Sequence, residues 1–177
     1  MPQVQVPIPT HVGIALFRAE GSPTQLAIVL STNQMFDKDV YCGTVIQTVN
    51  GWFQSWKKFD QPPAFEPYLE LMGIIAVATV QNAYLTPVQI YQSISGMEWT
   101  SREPNDPGLT KICDGYMHAQ SNDYVRRALT HLWTKGIINP PLNVKDKDLG
   151  GHILECLIKL QRLPSRFNSY HLIRLVE

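Results

Sequence analysis

Charge is scarce in this chain, and none of it is left over. Only 17% of the 177 residues are charged, and fifteen Lys and Arg balance fifteen Asp and Glu to a formal net charge of zero. With no field of either sign, long-range recruitment of nucleic acid or an anionic membrane has no electrostatic basis. The expected partner is therefore a protein or a small molecule recognised by local shape, with homo-oligomer formation permitted at neutral pH. Cysteine is sparse too. Cys42, Cys113 and Cys156 are too scattered for a disulfide framework or for closely paired zinc ligands, and free thiols are expected. His118, His131, His152 and His171 lie on different expected elements, not at metal-site spacing, so neither metal nor other cofactor is expected. No stretch approaches the roughly 20 apolar residues of a membrane span, and the opening residues lack a basic head before an apolar run. The reading is a cytoplasmic protein with no membrane span.

What is present is apolar: 44% of the residues are hydrophobic, enough for one domain over residues 1–177 with a real core. Prolines at 2, 7 and 9 make residues 1–10 an extended arm. Strands are expected over residues 11–17 and 25–30, joined as an antiparallel hairpin by the turn at residues 20–24. Both runs are apolar at nearly every position, which predicts cover on both faces. A third strand at residues 40–49, interrupted near Gly43, and a fourth at 52–56 flank Asn50-Gly51, a hairpin turn. A fifth lies within residues 68–80. Thr86-Pro87 reads as a helix cap and first helical residue, opening a short helix that ends at Gly96. Residues 98–116 hold Pro104, Asn105, Asp106, Pro107 and Gly108 and read as a long loop.

The second half reads as helical. From Ser121, the apolar stripe Val125, Leu129, Leu132 and Trp133 predicts a helix closed by Lys135-Gly136. Another is expected over residues 148–163, stopped by Pro164, and residues 170–176 return as an edge strand. Strands first and helices second define an α+β fold: an antiparallel sheet from the N-terminal half packed against helices from the C-terminal half.

Two stretches carry the candidate chemistry. Thr10-His11-Val-Gly-Ile-Ala-Leu16 sets a histidine at the head of the first strand, and Gln120-Ser121-Asn-Asp-Tyr-Val125 opens the long helix. In that order they resemble the circularly permuted papain-like superfamily, the NlpC-like and lecithin:retinol acyltransferase-like enzymes and some fungal relatives. The resemblance spans roughly the first three quarters of the chain on short motifs. It implies a histidine base at His11, a polar partner at Gln47 or Thr48, and a nucleophile at the helix start. The family has cysteine where this chain has Ser121, and asparagine where it has Gln120.

That substitution changes the chemistry. A cysteine at a helix N-terminus is activated because the dipole and a nearby imidazolium stabilise its thiolate. A serine hydroxyl needs instead a general base, a group holding that base's tautomer, and an oxyanion hole. Cys113, with Asp114 and near His118 in sequence, is the alternative nucleophile. Each residue also has a structural reading: Ser121 as a helix N-cap, His11 as a hydrogen-bonded packing residue, Cys113 as a core or loop thiol. Aromatics at 52, 53, 56 and 59 cover a sheet as readily as they line a groove. Gly150-Gly151 lacks the flanking strand and the Lys-Ser/Thr of a phosphate loop. Three functions follow from these readings: a catalytically degenerate papain-like domain, a pseudoenzyme binding a partner or small ligand in the helix-sheet cleft; a hydrolase or acyl-transferring enzyme using His11 with Ser121 or Cys113; or a structural or regulatory module of another α+β fold.

Overall fold

The two apolar runs near the start of the chain form the centre of the sheet. The computed structural model describes residues 9–19, 22–32, 43–47, 52–56, 69–95, 119–138, 149–163 and 171–175. Strand β1 (Thr10–Ala19) pairs antiparallel with β2 (Ser22–Thr32), in a register that runs without a break from Thr10↔Thr32 to Phe17↔Gln25. Side chains of β1 therefore alternate strictly between the two faces over this stretch. Beside them lie β3 (Gly43–Gln47), β4 (Trp52–Trp56), β5 (Leu69–Thr79) and β6 (His171–Arg174), in the order β4-β3-β2-β1-β5-β6. The first five strands pair antiparallel, whereas β6 runs parallel along β5. The N-terminal half thus forms the expected antiparallel sheet, and the last strand takes the expected edge position, joining it in parallel. Helices intervene between β5 and β6, giving the long crossover that a parallel pair requires.

Among the described residues three helices follow β5: α1 (Pro87–Ser95), α2 (Ala119–Thr134) and α3 (Leu149–Arg162). The start of α1 is a reciprocal capping box. Thr86 Oγ1 accepts from the Gln89 backbone N–H at 3.3 Å, and Gln89 Oε1 accepts from that of Thr86 at 2.9 Å, satisfying two otherwise unpaired donors. Helix α2 stops at Gly136, whose φ of 68° suits a residue without Cβ. There the Ile137 N–H reaches back to the Leu132 carbonyl at 2.9 Å, which occupies a carbonyl left over at the helix end. Gly150 and Gly151 fall inside the first turn of α3, so they form no phosphate-binding loop.

One face of the sheet carries the main core. Val12, Ile14 and Leu16 of β1, with Leu26, Ile28 and Leu30 of β2, pack in one buried cluster with Ile90 and Ile94 of α1, Val125, Ala128, Leu129 and Leu132 of α2, and Ile153, Leu157 and Leu160 of α3. All of these are at most 1% exposed, and at roughly 1.5–3 kcal/mol for each large side chain such burial is the chief stabilising term. The opposite face is buried as well, through Ala15, Phe17, Ala27, Val29, Ile74 and Ala76. The expectation of cover on both faces is therefore met. Along the β1–β5 seam the register shifts twice, between Val12 and Gly13 and between Leu16 and Phe17. Each shift leaves β5 with one extra residue, Val77 and Met72, and both join the main core. At Gly13 the strands approach so closely that an added Cβ would lie 2.9 Å from the Ile75 carbonyl oxygen.

Candidate functional site

Alternation along β1 decides where its histidine goes. His11 shares the parity of Gly13, Ala15 and Phe17, so it stands on the face turned away from the cluster that holds α1, α2 and α3. Its register partner on β5 is Thr79, and the Thr79 hydroxyl lies 3.1 Å from His11 Nδ1. The hydroxyl donates to an unprotonated Nδ1 or accepts from a protonated one. His11 is only 6% exposed, so this contact satisfies a ring nitrogen that burial would otherwise leave costly. A group fixing Nδ1 is what a catalytic histidine needs from its third partner. The sequence sought that group at Gln47 or Thr48 and overlooked Thr79. The only signal for Thr79 was its position near the end of an apolar strand.

The other expected site residues fall elsewhere. Gln47 is the last residue of β3; the pairing of Ile46 with Ile28 sets the next pair at Ala27, which is itself opposite Ala15. Gln47 is therefore two strands across from β1, roughly 10 Å, and about 13 Å further along it than His11. Helix α2 begins at Ala119, which puts Ser121 at the third helical position and corrects its assignment as the cap. The C-terminal end of α2 is the one that meets the head of β1. Ile138 bridges to Val80, whose N–H donates to the Thr10 carbonyl at 2.8 Å. Ser121 stands eleven residues before Leu132, about 16 Å back along the helix axis. His11 and Ser121 are thus separated by the sheet and by most of the length of α2. Thr48, Cys113, Asp114, His118 and the loop at 98–116 lie outside the described residues, as do Cys42 and the expected turn at Asn50-Gly51.

A different histidine does meet a hydroxyl. Between α1 and α2, Ser93 Oγ lies 3.0 Å from His131 Nε2, and both residues are part-buried. This is the spacing of a nucleophile and its base. Its setting favours a structural tie instead. Ser93 sits in the last turn of α1 and His131 in the last turn of α2, where helix dipoles oppose the negative charge an acyl-transfer intermediate would develop. In the same seam, burial pushes the Tyr124 phenol up to about 12, with Tyr91 adding to the effect. Cys156, a free thiol, is raised first by burial and then by Glu155, against a lowering effect of Lys159, the reverse of an activated cysteine.

Among the described residues, no three His, Cys, Asp or Glu side chains gather as a metal site, and no helix is long and apolar enough to cross a membrane. Comparison with protein families, with curated proteins and with solved structures finds no match. The class that the described residues define is α+β, with a six-stranded mixed sheet and the described helices packed on one face.

Proposed function

We propose that the chain is a non-catalytic α+β module that acts by binding a partner through its outer surface. The observation that carries this reading is the setting of His11: buried, held by Thr79, and on the opposite side of the sheet from α2. A base so enclosed has no described path to a substrate, and the hydroxyl described beside it, that of Thr79, is itself set in the β1–β5 seam of the sheet. The seam between helices and sheet supports the same reading. It is filled by apolar side chains from both layers, so a ligand held there would have to displace core packing, at about 2–5 kcal/mol for each large side chain removed. The papain-like resemblance would need either an open cleft at this seam or a contact between His11 and a nucleophile.

The test is covalent labelling of the full chain at neutral pH with a fluorophosphonate and, separately, with iodoacetamide, mapped by mass spectrometry. The expected result is no adduct on Ser121, and alkylation of Cys113 that is the same in the parent and in a folded His11→Asn variant. Stoichiometric modification of Ser121 or Cys113 that disappears in His11→Asn would overturn the proposal in favour of a hydrolase or acyl-transferring enzyme.

A further inference from the structure

We draw no further inference here: the strongest candidate, the Ser93–His131 pair in the seam between α1 and α2, belongs to the site already described, and nothing in the structure shows what covers the exposed Tyr84 and Val88 ahead of and within the first turn of α1.

Discussion

Two histidine–hydroxyl contacts among the described residues are of nearly equal length, and their surroundings differ. His11–Thr79 is a cross-strand pair inside the sheet, on the face away from the helices. Ser93–His131 ties two helices together on the other side. The first is built on a rigid frame: β1 is fixed on one side by β2 and on the other by β5, and Gly13 lets β5 come close. The second joins two helices that each send apolar side chains into the main core. The lesson is that a hydroxyl near an imidazole identifies a polar pair, and only the surroundings decide whether it is a site. In neither place do the described residues supply the base, nucleophile and oxyanion donor together.

The largest expected effect separates the two regions by breaking the first. Gly13→Ala drives a methyl group to within 2.9 Å of a backbone oxygen that cannot swing aside as a side chain does, so the loss is expected at about 3 kcal/mol, the upper part of the overpacking range. Urea unfolding measures it; a loss under about 1 kcal/mol would mean that the β1–β5 seam is looser than described.

The second effect belongs to the helix seam and appears only in alkali. Burial holds the Tyr124 phenol at about 12 against an ordinary 10.0, so the native state keeps a proton that the unfolded chain gives up. The contribution is fully present below pH 10 and is lost as pH rises through about 12, a decline on the order of 2–3 kcal/mol. A stability profile from pH 9 to 12.5 should slope downward in the parent and lose part of that slope in Tyr124→Phe. Identical slopes would remove Tyr124 as the cause.

Substituting the hydroxyls compares the two pairs directly. Thr79→Val conserves shape but removes the hydroxyl that meets the buried His11 Nδ1, and about 2 kcal/mol should be lost. Ser93→Ala removes the hydroxyl that meets a less deeply buried ring, where water can substitute, so about 1 kcal/mol or less is expected. Equal losses in chemical denaturation would contradict the difference in burial drawn between them.

How much of this was legible in the sequence depends on the range of the signal. The fourth strand at residues 52–56 and the helix opened by Thr86-Pro87 were read within a residue of their bounds, because cap, proline and alternation act between near neighbours. Gly136 closing α2 was equally local. The start of α2 was read two residues late because serine, a common cap, drew the boundary to Ser121. The direction of β6 was not legible, since alternation fixes a strand's faces and not its sense. Both histidine contacts join residues far apart, 68 positions for His11 and Thr79 and 38 for Ser93 and His131. Their pairing comes from strand register and helix crossing, which no local motif encodes. The motif order that suggested His11 with Ser121 carried no information about parity, and parity sends His11 to the other face.

The separation of His11 from Ser121 can be tested by disulfide trapping. Cys42, Cys113 and Cys156 are replaced by serine, His11→Cys and Ser121→Cys are introduced together, and the folded protein is oxidised; the cross-strand pair His11→Cys with Thr79→Cys serves as the control. A disulfide needs its Cα atoms about 4.4–6.8 Å apart. The expected result is a bond between positions 11 and 79 and none between 11 and 121. Rapid, complete bond formation between 11 and 121 in the folded chain would contradict the placement of these residues and restore the papain-like arrangement.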